Sequence, residues 1–181
     1  EYAGVNPATG RPMWYDINGN ITYLPLAADR KYLGSSLGTV FGGLNNTFTY
    51  KGFEFTTFFT YEYGGIGGDG QYGFLRESGT RLALNTLQEV VDRSWKTPGQ
   101  ITDIPRNVIT NGGNETRGNS RNSGSAALLK YDFIRLSQLT LAYSFKPSLV
   151  NRIGLTRARI YAQGVNLWTY TDYPGYDPEF T

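Results

Sequence analysis

The sequence predicts an all-β chain of about four long antiparallel strands in up-and-down order. Three observations point there. Aromatic residues make up 15% of the 181 residues, and 23 glycines accompany them; aromatics suit pleated strands and glycines suit turns. Phe53 to Tyr63 alternate large apolar with mostly polar side chains, the period-two signature of a strand with two unlike faces. Turn-forming words break up the long runs: Lys51-Gly52, the glycine-rich stretch from Gly64, and Pro147-Ser148.

Residues 1–30 read as loop with one short hairpin. Met13-Trp14-Tyr15 and Ile21-Thr22-Tyr23 flank Asp16-Ile17-Asn18-Gly19-Asn20, where Asn18-Gly19 is a type I′ turn signal. Asp16, Asn18 and Asn20 also alternate like calcium ligands. The glycine is misplaced for an EF-hand and no glutamate closes the site, so the turn reading is preferred. The first long strand runs over Val40–Tyr50, with Val40, Leu44, Phe48 and Tyr50 on one face. The second runs over Phe53–Tyr63, with Phe53, Phe55, Phe59, Tyr61 and Tyr63 on one face, against Glu54, Thr56, Thr60 and Glu62. Strands of about 9–11 residues span a bilayer when tilted. The pattern fits a soluble antiparallel sheet as well as a segment of a transmembrane β-barrel.

A long excursion follows, from Gly64 to about Ala127. Its opening contains G-x-G-x-x-G, but no βαβ unit surrounds it and the next segment does not read as a helix start, which argues against a dinucleotide site. One short helix is expected within it. Thr86 and Glu89 have capping-box spacing, Leu87, Val90, Val91 and Trp95 recur at helical intervals, and Pro98-Gly99 ends it. Asn107–Ser125 reads as polar loop. Two more strands are expected, about 128–145 and 156–168, joined by a compact connection at 147–154. The third alternates cleanly only in its second half, and the facing of the fourth is ambiguous. Four such strands cannot close a barrel.

Composition excludes several functions. The net charge of +2 gives no footprint for nucleic acid. With no histidine and no cysteine, Ser–His or Cys–His catalysis, disulfides and His- or Cys-ligated zinc are impossible within the segment. Mean hydropathy is −0.39, and no stretch approaches the roughly 20 apolar residues of a transmembrane helix. Barrel strands pass this test unseen, because half their residues face a polar lumen. The chain begins Glu1-Tyr2-Ala3-Gly4, without initiator Met or signal peptide; processing or membership of a longer protein would each explain that.

The order of certain words is more specific. Tyr32-Leu33-Gly34 leads to Phe48-Thr49-Tyr50-Lys51-Gly52-Phe53-Glu54. Trp95 precedes Pro98-Gly99-Gln100-Ile101-Thr102-Asp103-Ile104-Pro105-Arg106. Tyr131–Tyr143, Arg159–Trp168 and Tyr173–Glu179 follow. In this order they resemble the C-terminal barrel portion of the SusC/RagA family of TonB-dependent outer-membrane transporters. The resemblance implies an antiparallel up-and-down transmembrane β-barrel segment, with a long external loop carrying the short helix. It implies that residues 1–181 are a partial C-terminal portion of such a barrel, lacking the plug domain, the TonB box and the final strand. The implied location is the outer membrane of a Gram-negative bacterium. The implied partners are outer-membrane lipid, a SusD-like lipoprotein, the TonB complex acting through the plug, and a glycan or peptide substrate. No cofactor or metal is implied.

No pair of carboxylates presents itself as acid–base machinery: Asp103, Glu115, Asp132, Asp172, Asp177 and Glu179 lie in expected loops or at strand ends. Trp95, Trp168, Tyr170, Tyr173 and Tyr176 are candidates for stacking on a sugar or docking a lid protein, although a girdle or loop-packing role is the preferred reading. Phe48, Tyr50, Phe53, Phe55, Phe59, Tyr61, Tyr63, Tyr143 and Phe145 read as membrane-facing or girdle aromatics. The function expected is nutrient import. The alternatives are a secreted β-sandwich carbohydrate-binding module, and a barrel of the same type with an assembly or secretion role. An enzyme is remote, since no G-x-S-x-G or comparable nucleophile motif occurs.

Overall fold

Strict alternation becomes long, regular pairing. In the computed structural model, which describes residues 1–76, 85–108 and 124–179, the two best-patterned runs form strands with the expected bounds. The strands are β1 (Tyr2–Val5), β2 (Pro12–Tyr15), β3 (Ile21–Thr22), β4 (Val40–Tyr50), β5 (Phe53–Tyr63), β6 (Ile66–Gly68), β7 (Leu128–Lys130), β8 (Phe133–Ser144) and β9 (Arg159–Thr171). The helices are α1 (Gly70–Leu75), α2 (Gln88–Arg93) and α3 (Pro147–Val150). The chain divides into two units that alternate along the sequence. One joins Glu1–Gly34 to Gly67–Leu129; the other joins Ser35–Ile66 to the residues from Lys130 onward.

The second unit is one antiparallel sheet in the order β4-β5-β8-β9. The β4–β5 turn has two residues, with Lys51 at φ 47° and Gly52 at φ 93°; positive φ at both positions matches the twist of a tight hairpin. Tyr50 then pairs Phe53, and Val40 pairs Tyr63. The run expected as one strand over 128–145 splits into β7 and β8 at Tyr131-Asp132. Its untidy first half has a local cause. Phe58 pairs Gln138 while Phe59 pairs Leu136, so Ser137 is an extra residue that inverts the alternation there. A second bulge follows in β9: Gln138 pairs Val165 and Leu136 pairs Trp168, with Asn166 at φ 50°. This is why period-two reading left the facing of β9 open.

The first unit has its own core. Its sheet runs β1-β2-β3, so the hairpin expected near the N-terminus gains a third strand. The turn differs from type I′. The Asp16 carboxylate accepts the backbone N–H groups of Asn18 and Asn20, both at 2.8 Å, and only Gly19 has positive φ. The Asn20 N–H is the main reason the Asp16 carboxyl is held below its ordinary range. Trp14, Val90, Ile104 and the prolines 12 and 105 are the most deeply buried side chains. The Trp95 indole N–H donates to the Pro7 carbonyl at 2.9 Å, and its backbone N–H donates to Ile104 at 3.0 Å. The ring lies against Gly10, where a Cβ would stand 2.4 Å from it.

The excursion carries the expected helix as α2, without the expected capping box. Leu87 is its N-cap and offers no side-chain bond; the Thr86 hydroxyl donates instead to the Leu75 carbonyl at 2.7 Å. The glycine-rich opening does lead into a helix, α1, contrary to the sequence reading. Asp69 accepts the N–H groups of Gln71 and Tyr72 at 2.8 and 3.0 Å, the capping that starts it. Six residues outside any βαβ unit still make no dinucleotide site. Most of the polar loop expected at 107–125 lies outside the described residues.

Candidate functional site

The register of the four-stranded sheet sorts its side chains into rows. At the hairpin end one face carries Tyr50, Phe53, Tyr143 and Ile160; the next row carries Phe48, Phe55, Leu141 and Ala162. Beyond a middle row of Asn46, Thr57, Leu139 and Gly164 come Leu44, Phe59, Leu136 and Trp168. The far end holds Tyr61, Ile134 and Tyr170, then Val40 and Tyr63. The two bulges keep this face apolar, because each restores alternation where a regular strand would have turned an apolar residue over. Leu167 fits beside Gly164, whose Cβ would lie 2.7 Å from it. Tyrosines and tryptophan therefore gather at the two ends, and aliphatic and phenylalanine side chains fill the space between. Rings meet along these rows: Phe53 and Tyr143 have centroids 4.6 Å apart, and Trp168 stacks on Tyr170 at 6.3 Å.

Burial on this sheet is inverted relative to a water-soluble one. The apolar face is the exposed one, with Phe48 at 64%, Tyr50 at 69% and Tyr63 at 64% of full exposure. The polar face is covered only along β8, where Arg135 retains 4%, Thr140 8% and Ala142 2%; on the edge strands Asn45, Thr47 and Gln163 of the same face are exposed. An exposed apolar area of this size marks an interaction or membrane surface. Burying polar groups requires partners; several find them, although Arg135 Nε has none among the described residues. The hydroxyls of Thr60 and Ser137 lie 2.6 Å apart, and Gln138 donates to Thr140 at 3.2 Å. Arg159 pairs Glu54 at 2.6 Å across β8, whose residue opposite Glu54 is the small Ala142.

The segment after β9 folds back onto Arg135. One guanidinium nitrogen donates to Glu179 at 2.7 Å and another to Asp177. The guanidinium also lies over the Phe133 ring, 5.4 Å from its centroid. Burial pushes the Asp177 carboxyl up. The Arg135 hydrogen bond, the Glu179 backbone N–H and the Arg135 charge outweigh it, so the carboxyl is held below its ordinary range. Tyr173 is buried with its ring 5.3 Å from that of Tyr131. The sequence pattern singled out the stretch Tyr173–Glu179 but gave Arg135 no role. The available signal was a cation inside the apolar run Phe133-Ile134-Arg135-Leu136.

The candidate contact residues do not form one site. Trp95 belongs to the first unit and is bonded there. Trp168 and Tyr170 stand in the rows of the apolar face. Tyr173 is packed, and only Tyr176, 88% exposed, is a free ring on the loop. The nine girdle candidates all belong to the sheet or its border. Phe48, Tyr50, Phe53, Phe55, Phe59, Tyr61, Tyr63 and Tyr143 share the apolar face by register, and Phe145 packs on Tyr143 with centroids 5.0 Å apart.

The comparisons agree with this geometry. No family model matches the chain. TonB-dependent receptor P39 of Formosa agariphila is 32% identical over 172 residues, covering 94% of this chain and 16% of the receptor. TonB-dependent receptor P3 of the same organism is 33% identical over 172 residues, 94% of this chain and 15% of its own length. Among solved structures, the RagAB peptide importer in its open-open state superposes with a TM-score of 0.82 at 26% identity, over 99% of this chain and 19% of that one. Its closed-closed state gives 0.81 at 28% identity, over 99% and 20%. The chain thus spans less than a fifth of the curated relatives it matches. These relatives are receptors and importers, not enzymes. A sheet with an exposed aromatic face and a polar face covered along β8, in a chain matched over nearly its whole length to such proteins in sequence and in fold, places the chain among the SusC/RagA-like TonB-dependent receptors.

Proposed function

We propose that the chain is a C-terminal portion of the barrel wall of an outer-membrane importer, which takes up glycan or peptide fragments with a SusD-like surface lipoprotein. The inverted sheet carries this reading. A β-sandwich module would bury its aromatic face against a second sheet; here that face is exposed and its aromatics gather at both ends. Eleven-residue strands rise about 3.3 Å per residue, so a tilt of about 40° gives a band near the ~25 Å height of an outer-membrane barrel. Phe48, Phe55, Phe59 and the aliphatic rows face lipid, and Tyr50, Phe53, Tyr61, Tyr63, Tyr143 and Phe145 sit at the interfaces. Edge strands β4 and β9 pair with further strands of the same wall, since open edges do not persist in lipid. Energy reaches the lumen from TonB through a plug.

The test is to purify the native protein from outer membranes in mild detergent and identify what accompanies it by mass spectrometry. A much larger barrel chain with a surface lipoprotein supports the importer reading. A free, water-soluble chain of about this size would refute it, and a barrel with assembly factors in place of the lipoprotein would favour the secretion role.

A further inference from the structure

The two ends of the four-stranded sheet differ in charge. At the hairpin end stand Lys51 in the β4–β5 turn, Lys146, Arg152 and Arg157 in the β8–β9 connection, and Arg159 at the start of β9, with Glu54 as the one carboxylate. Backbone bonds bring these positions together: Ser144 donates its N–H to Gly52 at 2.8 Å, and Phe145 donates to Ala158 at 3.0 Å. Glu54 is taken by Arg159 at 2.6 Å. Lys51, Lys146, Arg152 and Arg157 are exposed, and among the described residues they form no ion pair. At the far end the balance reverses. Glu62, Asp132 and Asp172 border one hollow with Lys130, and Arg135 is offset by Asp177 and Glu179. The cations of the hairpin end are thus a local excess that the net charge of +2 conceals.

Apolar groups accompany the cations. The connection runs through α3 and a tight helical turn at Asn151–Ile153. It buries Val150 and exposes Leu149, Ile153 and Leu155, Ile153 at 71%. Cations interleaved with exposed aliphatic side chains are the make-up of a segment that lies in a membrane interface. This one is continuous with the aromatic row at the same end. Phe145 packs on Tyr143, and the Lys51 ammonium lies 5.1 Å from the centroid of the Tyr50 ring; both tyrosines belong to the apolar face. Short turns mark the periplasmic side of an outer-membrane barrel and long loops the outer side. Here two residues join β4 to β5, while the long excursion leaves from the far end of β5. We propose that Lys51, Lys146, Arg152 and Arg157 bind the phosphates of anionic phospholipid headgroups in the periplasmic leaflet, with Leu149, Ile153 and Leu155 seated at the level of the glycerols. This rests on the barrel-wall reading of the function and adds the lipid class that the hairpin end selects. The far end has the wrong sign of charge for the same headgroup.

The test places the full receptor in phosphatidylcholine nanodiscs doped with a photoreactive lipid. The probes are phosphatidylglycerol and phosphatidylcholine, each with a diazirine close to its glycerol, and crosslinked residues are mapped by mass spectrometry. Phosphatidylglycerol is expected to label residues 143–160 at least about threefold more than phosphatidylcholine does, since each nearby cation favours an anionic surface. The preference should vanish in Lys51→Gln/Lys146→Gln/Arg152→Gln/Arg157→Gln and persist in Lys130→Gln, at the far end. High salt should shrink it in the parent receptor, and this decides the matter should the quadruple variant fail to assemble. Equal labelling by the two lipids, or a preference that survives the quadruple variant or high salt, overturns the proposal. A third probe, phosphatidylcholine with the diazirine at its acyl terminus, reports on the wall itself. Labelling of Phe48 and Phe55 by it leaves the barrel-wall reading standing even when the headgroup preference is absent; no labelling of that face overturns both.

Discussion

Single positions show what the fold tolerates. Gly10 combines φ 70° with a ring against its α-carbon, so Gly10→Ala meets both backbone strain and overlap with Trp95. The expected loss is about 2–3 kcal/mol, confined to the first unit. Hydrogen exchange should show faster opening of β1, β2 and residues 94–106, with β4, β5, β8 and β9 unchanged. Asp177 sets a pH dependence. Its carboxyl titrates lower in the folded chain than its ordinary value of 3.8, so its contribution is complete above that value and is lost as pH falls through the lower folded one. A dye on Tyr176→Cys should report a docked segment at pH 5 and release only below about pH 3.8. Asp177→Asn should release it more readily at pH 5, the difference vanishing once the parent carboxyl is protonated. None of these roles shows in composition, because each depends on a neighbour brought from far along the chain.

At the scale of elements, legibility followed regularity. β4 and β5 could be bounded from sequence because their alternation is unbroken and a two-residue turn joins them. The first half of β8 and the facing of β9 could not, because Ser137 and the residues around Asn166 each shift the phase by one. An extra residue is invisible to a period-two count until its partner strand is known. The missing capping box teaches the same lesson for α2: Thr86 found a carbonyl on Leu75 instead. The alternation itself yields a sharp contrast between neighbours. Leu44 lies on the apolar face and Asn45 on the opposite one. Leu44→Lys should cost about 2–4 kcal/mol of barrel stability in phospholipid vesicles, and Asn45→Lys little. Equal losses for the two would refute the assignment of faces.

At the scale of the whole chain, the sequence resemblance and the structure agree on an all-β barrel segment. The candidate contact residues were less legible. Their aromatic character was plain, but the same residue types serve stacking, packing and an interfacial row, and only register separates these uses. Trp95 was read as part of a helix face and proves to lie beyond α2, held by residues near the N-terminus. The N-terminal hairpin and the excursion were read as separate loops, and they share one core. Expression of residues 1–66 alone should therefore give a protease-sensitive product, because neither unit is complete in it. Protection equal to that of the full receptor would show that the N-terminal strands stand by themselves.

The interleaving of the two units also bears on how such chains can be inherited. Each unit takes one stretch from before β6 and one from after it, so a single crossover between two diverged relatives, at almost any point from Gly10 to Arg135, would give a hybrid with mismatched halves in at least one unit. Trp95 would meet a foreign partner for Gly10, or β8 a foreign β5. The segment is consequently expected to pass between receptors as one block, with its variation introduced by substitution more than by shuffling.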